Sequence, residues 1–252
     1  WREGPAAPLL VFSHCTGCFR FSLHGVTAHL ASHGFVVAAP DHLTNTRFDD
    51  TAPLTDSFLA VRAEDVSTVI DAVLSGAHAA AVDPARVAVL GHSFGAVTAA
   101  KTVERDARVQ AGFLLAAPAD SPFLNHRGLA RIERPLSWLL AQEDNSISYL
   151  GNDFIRDNFR RAPTPSWLIE VENAGHWSFS DIAGLGGDYR PGCGEGVRDL
   201  DGGSFVYLDN HQARGVARRS LAAWAHFTLA GDEQARAALG QETPGVTQVR
   251  AR

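Results

Sequence analysis

Apolar residues along this chain fall into short unbroken runs, separated by longer stretches in which they recur at helical spacing. Leu9-Leu10-Val11-Phe12-Ser13 and Phe35-Val36-Val37-Ala38-Ala39-Pro40 predict strands buried on both faces. Runs of the same kind are Val87-Ala88-Val89-Leu90, Phe113-Leu114-Leu115-Ala116-Ala117, Leu136-Ser137-Trp138-Leu139-Leu140 and Trp167-Leu168-Ile169-Glu170-Val171. Between them the period changes. Residues 22–32 predict a helix stopped at His33-Gly34, and residues 58–74 carry Leu59, Val66, Val69, Ile70 and Val73 close to one helical stripe. Asp56 can cap that helix and Gly76 can end it. Residues 96–103 and 212–227 predict two more helices. This alternation predicts the α/β class, a doubly wound and mostly parallel sheet with helices on both faces. Residues 1–230 read as a single domain, and the polar stretch 231–252 is expected to be a weakly ordered tail. Residues 181–201 are rich in glycine and read either as a flexible rim beside a site or as an ordinary surface loop.

Composition narrows the function classes. The 252 residues fit one large domain, and hydrophobic and charged fractions of 45% and 20% are those of an ordinary globule. A formal charge of -6 argues against nucleic acid as a partner, because phosphate binding wants clustered positive charge. No stretch approaches the ~20 apolar residues of a membrane span. The chain has no methionine, even at position 1, so it is expected to begin after processing or trimming. Cys15-x-x-Cys18 has the spacing of redox or zinc sites, but no second cysteine pair accompanies it, and no metal or other cofactor is expected. A disulfide from Cys15 or Cys18 to Cys193 would suit an exported protein, secreted or periplasmic. Three thiols in a cytosolic protein is the alternative.

The chemistry concentrates at Gly91-His92-Ser93-Phe94-Gly95, which follows a predicted strand and opens a predicted helix. Strand, Gly-x-Ser-x-Gly and helix in that order describe a nucleophile elbow, a turn that pushes the serine hydroxyl clear of the backbone. A serine needs a base, and His176 follows the last core strand, where loops at the carboxyl ends of the strands converge. The chain holds 11 histidines. His92 reads as a packing residue, and His14 as a residue that holds the loop after the first strand. A carboxylate must orient the imidazole, and the order Ser, acid, His puts it between Ser93 and His176. Asp144, in the acidic turn after residues 136–140, is the choice; Asp120 is the rival, and Glu143, next to Asp144, is a further alternative. Two backbone N–H groups must face the developing oxyanion, one from Phe94 and one from the loop Ser13-His14-Cys15-Thr16-Gly17, with Thr16 preferred over Cys15.

Several of these segments resemble one family. Val11-Phe12-Ser13-His14 with Phe19-Arg20, the stretch from Leu30 to Ala39, Gly91-His92-Ser93-Phe94-Gly95 and His176-Trp177-Ser178-Phe179-Ser180-Asp181 are similar to the plasma-type platelet-activating-factor acetylhydrolases and their bacterial relatives. The resemblance implies an α/β-hydrolase fold and a calcium-independent serine esterase for short or oxidised acyl esters. Bacterial relatives grade into dienelactone-hydrolase-like and polyester-degrading esterases. The chain departs from the family at three points. Cys15 stands where a glycine usually follows the loop histidine. Ala116 and Ala117 stand where mammalian members carry the acid, which moves that role toward Asp144. Only eight residues precede the Leu9 strand, so the family's N-terminal strand hairpin is expected to be absent.

The leading reading is therefore a serine carboxylic-ester hydrolase working through an acyl-enzyme on Ser93, with a small-molecule, lipid or polymer ester as substrate. A polyester, cutinase-like or dienelactone-type hydrolase, or an acyltransferase using the same site, is the second. A catalytically silent binding module on the same fold is the third, and from a different class. Trp177 and the Ser121-Pro122-Phe123-Leu124 segment are candidates to line an acyl pocket.

Overall fold

The structure, a computed structural model, describes residues 5–189 and 192–252. In chain order its elements are β1 (Ala7–Ser13), α1 (His24–Ser32), β2 (Val36–Ala38), α2 (Asp56–Ser75), β3 (Val82–His92), α3 (Phe94–Arg105), β4 (Val109–Leu115), β5 (Leu136–Ala141), α4 (Ser148–Arg161), β6 (Trp167–Val171), β7 (Glu195–Val197), β8 (Ser204–Val206), α5 (Asn210–Ala230), α6 (Glu233–Leu239) and β9 (Thr247–Ala251). Seven strands make one sheet in the order β2-β1-β3-β4-β5-β6-β9. The first six run parallel, and β9 pairs antiparallel with β6. This is the expected doubly wound, mostly parallel sheet.

Alternation along the strands explains how it is covered. In β1, Leu9 and Val11 face one core with Leu59, Val66 and Ile70 of α2, while Leu10 and Phe12 face the other with Val26 and Leu30 of α1. The first core continues through α3 to Ile155 and Phe159 of α4, and the second through Leu221 and Trp224 of α5. Both faces of β1 are fully buried from Leu9 to Phe12, which is why that strand reads as a continuous apolar run. The chain leaves β1 toward β2 on one side and reaches β3 on the other. The order therefore reverses between β1 and β3, and the crevice at their carboxyl ends is where an open sheet of this kind places its ligand.

Four differences from the sequence reading matter. The stretch 231–252 is not a loose tail: α6 follows Asp232, whose side chain accepts from the N–H groups of Gln234 and Ala235, and β9 completes the sheet on β6. The disulfide joins Cys15 to Cys18, with a Cα–Cα distance of 5.2 Å, and does not involve Cys193. Both partners lie on one short buried loop, whereas Cys193 belongs to a separate segment. Thr55 caps α2 by accepting from the Phe58 N–H, in place of Asp56. Finally, the glycine-rich stretch 181–201 is partly packed: Tyr189 donates to the Gly17 carbonyl at 3.0 Å, and β7 pairs with β8. Arg190 and Pro191 of that stretch, and residues 1–4, lie outside the described residues.

Candidate active site

Ser93 stands between the end of β3 and the start of α3 with φ 57 and ψ -126, a conformation costing about 1–3 kcal/mol for a residue with a side chain. The turn persists because its surroundings allow no other path. The Ser93 N–H donates to the Leu115 carbonyl at 2.9 Å, and the Ser93 carbonyl accepts from Ala96 N–H at 2.8 Å. A β-carbon on Gly91 would strike the Gly95 carbonyl, and one on Gly95 would strike the Ser13 carbonyl. The two glycines thus let β3, α3 and the end of β1 close on one another.

His176 and Asp144 come from the ends of β6 and β5. The N–H groups of Gln142 and Glu143 donate to the carbonyls of Val171 and Ala174, at 3.1 and 2.9 Å, and tie the two strand-end turns together. Across that junction His176 Nδ1 lies 2.8 Å from Asp144 Oδ2, and both side chains are buried. Asp144 Oδ1 accepts from the N–H groups of Ser146 and Ile147 at 3.0 and 3.1 Å, so the carboxylate is held at both oxygens. With Nδ1 engaged, Nε2 is the ring nitrogen left on the other edge of the imidazole. The rival carboxylates are committed elsewhere. Asp120 accepts from Leu129 N–H, Asn158 and Arg161, and Glu143 pairs with Arg198.

Ser93 and His176 share the wall of one cavity of about 360 Å³, together with Thr16 and Phe94. The rest of its lining is mostly apolar and includes Leu54, Val97, Phe123, Leu124, Leu150 and Phe154. Phe94 is the first residue of α3, and its N–H belongs to the helix's first turn, which has no partners within the helix. Cys15, the alternative to Thr16, is fully buried in the disulfide loop. Trp177, expected as a pocket residue, packs instead beside that disulfide with Tyr189, whose ring lies 4.9 Å away edge-on.

Two histidines beside the site are structural. His92 is fully buried and donates from Nε2 to the His176 carbonyl at 2.8 Å, fixing the backbone of the histidine next to it. Burial, more than any other cause, holds His92 down to about 3 and hence neutral, against the opposing pull of its hydrogen bond to the His176 carbonyl. His14 donates from Nδ1 to the Cys15 carbonyl at 2.7 Å and accepts at Nε2 from the His42 N–H at 3.0 Å. It too is held down to about 3, mainly by burial and then by Arg62. The sequence reading missed the group behind His14. Arg62, Asn45, His42 and Ser13 form a buried polar cluster, which the half-buried Asp65 closes on its outer side through His42. One signal was present: Arg62 falls within the buried stripe of α2, between Leu59 and Val66, where a charged residue needs a reason.

A model of the alpha/beta hydrolase family matches residues 10–246. The chain belongs to this family. The sheet described above is accordingly an α/β-hydrolase fold, with Ser93 at its strand-to-helix turn. Among relatives of known name, the platelet-activating factor acetylhydrolase of Bos taurus is 25% identical over 228 residues, which cover 72% of this chain and 50% of the relative. That of Cavia porcellus is 28% identical over 226 residues with the same coverage. The chain thus spans about half the length of these hydrolase relatives. Among solved structures, a ferulic acid esterase from Streptomyces cinnamoneus superposes with a TM-score of 0.74 at 23% identity, covering 99% of this chain and 75% of that one. At that identity the likeness concerns the fold.

Proposed function

We propose that this α/β-hydrolase is a serine carboxylic-ester hydrolase that acts on short-acyl esters through an acyl-enzyme on Ser93. The observation that carries the reading is the junction at the carboxyl ends of the strands. His176 is bound through Nδ1 to the Asp144 carboxylate at 2.8 Å and shares with Ser93 the wall of one apolar cavity. In the proposed reaction His176 Nε2 takes the proton from Ser93 Oγ as that oxygen bonds to the ester carbonyl carbon. The carbonyl oxygen becomes an oxyanion and accepts hydrogen bonds from the N–H groups of Phe94 and Thr16. Collapse breaks the bond to the alcohol oxygen, which leaves with the proton held by His176. Water, deprotonated by the same ring, then attacks the acyl-enzyme, and the second collapse releases the acid and returns the proton to Ser93 Oγ. Asp144 holds the tautomer and supports the imidazolium formed in each half.

The named relatives support an ester as substrate, and a cavity of about 360 Å³ lies near the lower end of ligand-sized pockets, which favours a short acyl group. A second reading, a polymeric or aggregated ester, draws on a different observation. Phe123 is 79% exposed and Leu54 54% exposed although both line the cavity, so its mouth presents apolar surface outward.

The test is labelling by a fluorophosphonate together with hydrolysis of p-nitrophenyl esters from acetate to palmitate. Labelling is expected in the wild type and absent in Ser93→Ala, with activity falling as the acyl chain grows beyond butyrate. Unlabelled, folded wild type would overturn the serine mechanism, and a preference for palmitate would overturn the short-acyl assignment. Release of soluble acid from a dispersed polyester film, faster than from soluble short esters, would favour the second reading.

A further inference from the structure

Arg62 is fully buried, yet the acceptors it binds are all neutral. It donates to the His14 carbonyl, to Asn45 Oδ1 and, at 3.1 Å, to Ser13 Oγ. Its guanidinium carbon lies 4.8 Å from the centre of the Phe94 ring. Asp65 and Asp50 act on it only through space, and burial holds it down to about 9, which leaves it charged at neutral pH. A buried cation among neutral acceptors is a poor way to stabilise a fold, and an apolar side chain in such a place is often as stable or more so. The position of this cation suggests a different role.

Two of its contacts bear on the residues whose N–H groups serve the proposed oxyanion hole. On one side is Phe94 itself. On the other is the loop leading to Thr16, where the donors and acceptors have one consistent arrangement. The His14 carbonyl is bound by Arg62, and the Cys15 carbonyl is bound by His14 Nδ1 at 2.7 Å. In a trans peptide the C=O and the following N–H point in opposite directions. Drawing the Cys15 carbonyl inward onto His14 therefore turns the Thr16 N–H away from it, on a residue that lines the cavity.

The remaining groups hold Arg62 in turn. His42 donates from Nδ1 to Asp65 at 2.8 Å, and its Nε2, 2.9 Å from Ser13 Oγ, accepts the serine proton. This leaves the Ser13 oxygen free to accept from Arg62. Burial, then Arg62, holds His42 down to about 2, which agrees with a neutral ring in that tautomer. Ser13, His42 and Asp65 thus repeat the connectivity of a serine triad. Ser13 is only 1% exposed and takes no part in the lining of the cavity, so the string anchors Arg62 and presents no nucleophile.

We propose that Arg62 is a positioning residue of the oxyanion hole, its single buried guanidinium setting the loop that aims Thr16 and supporting the ring of Phe94. This rests on the serine-esterase reading above. Both donors would act only in the transition state, so their misplacement should lower kcat and leave ground-state binding nearly intact.

The experiment compares wild type with Arg62→Met and Arg62→Lys by kcat, by KM and by affinity for a short alkyl trifluoromethyl ketone. That probe forms a tetrahedral adduct on the serine and places an oxyanion in the hole. Arg62→Met is expected to lose about 100-fold in kcat with KM changed by less than about threefold, and to lose inhibitor affinity by a similar factor. Arg62→Lys, which keeps the charge and loses the fork, should fall between Arg62→Met and wild type. It carries the test on the same readouts if Arg62→Met does not fold. Folded variants that keep wild-type kcat, or that lose kcat while binding the ketone as tightly as wild type, would overturn the proposal. Wild type that binds neither the ketone nor a fluorophosphonate would overturn the esterase reading and this proposal with it. Inhibition of wild type alongside full inhibition of the variants would overturn only the role of Arg62.

Discussion

Asp144 and Asp120 are both buried aspartates at the carboxyl ends of neighbouring strands, and only their partners distinguish them. Asp144 spends one oxygen on two backbone N–H groups and the other on His176 Nδ1. Asp120 spends both on structure, binding Leu129 N–H with one and Asn158 and Arg161 with the other. The two substitutions to asparagine should therefore separate cleanly. Asp144→Asn offers the imidazole an amide in place of a carboxylate, and kcat is expected to fall by about 10³–10⁴ with a melting temperature near wild type. Asp120→Asn should keep kcat near wild type and lose roughly 1–3 kcal/mol of stability, read by urea unfolding. The reverse pattern would transfer the acid to Asp120. Chain order asks only that the acid fall between serine and histidine, which both aspartates satisfy, and it was the acidic turn directly after the 136–140 strand that favoured Asp144. It gave no ground against Asp120, because what engages that carboxylate is a contact with α4 about forty residues away in sequence.

At the level of elements, what the sequence revealed depended on how much each segment buries. β1, β5 and β6 bury nearly every side chain, and their apolar runs located them within a residue or two. β9 was read as part of a loose tail because only Thr247 of its residues is buried. A polar edge strand is specified by backbone pairing with β6 and leaves no apolar run to read. α4 was missed because Leu150, Phe154, Ile155 and Phe159 are diluted among Asp, Asn and Arg. The Cys15–Cys18 loop shows the same limit. Its spacing was plain, but its partner choice depended on the packing of a loop that Tyr189 and Trp177 cover. That disulfide closes a short loop carrying Thr16, so its removal should do two things. Cys15→Ser combined with Cys18→Ser is expected to cost about 2 kcal/mol of stability, from the chain entropy of so small a ring. It should also lower kcat by about tenfold while KM moves little, because the covalent closure of the loop that carries Thr16 is lost. Alkylation before and after treatment with a dithiol reductant, read by mass, checks the bond itself: reduction should open two further sites. Unchanged kcat in the double variant would mean that Arg62 and His14 set the loop unaided.

Across the whole molecule, the buried histidines make the fold sensitive to acid. His14, His42 and His92 are each fully buried and held far below their ordinary range, to about 3, about 2 and about 3, with burial the largest cause each time. All three are neutral in the folded state at pH 5, whereas the unfolded chain protonates them as pH falls through about 6.5. The unfolded state then binds more protons, so stability is full above that pH and declines below it. With three such groups the slope should approach about 4 kcal/mol per pH unit near pH 5, above the range in which ordinary carboxylates titrate. Typical domains hold about 5–15 kcal/mol in all, so acid unfolding should come early. Urea midpoints measured from about pH 8 to about pH 5 check this, and a flat profile below pH 6.5 would contradict it. His92→Gln supplies a sharper control. The amide can keep the hydrogen bond to the His176 carbonyl and cannot titrate, so the slope should drop by about one third with the fold intact. If the slope stays as it was, the protons taken up on unfolding belong to groups other than this histidine. The polar cluster behind the oxyanion loop, where His14 and His42 lie, would then be the place to look.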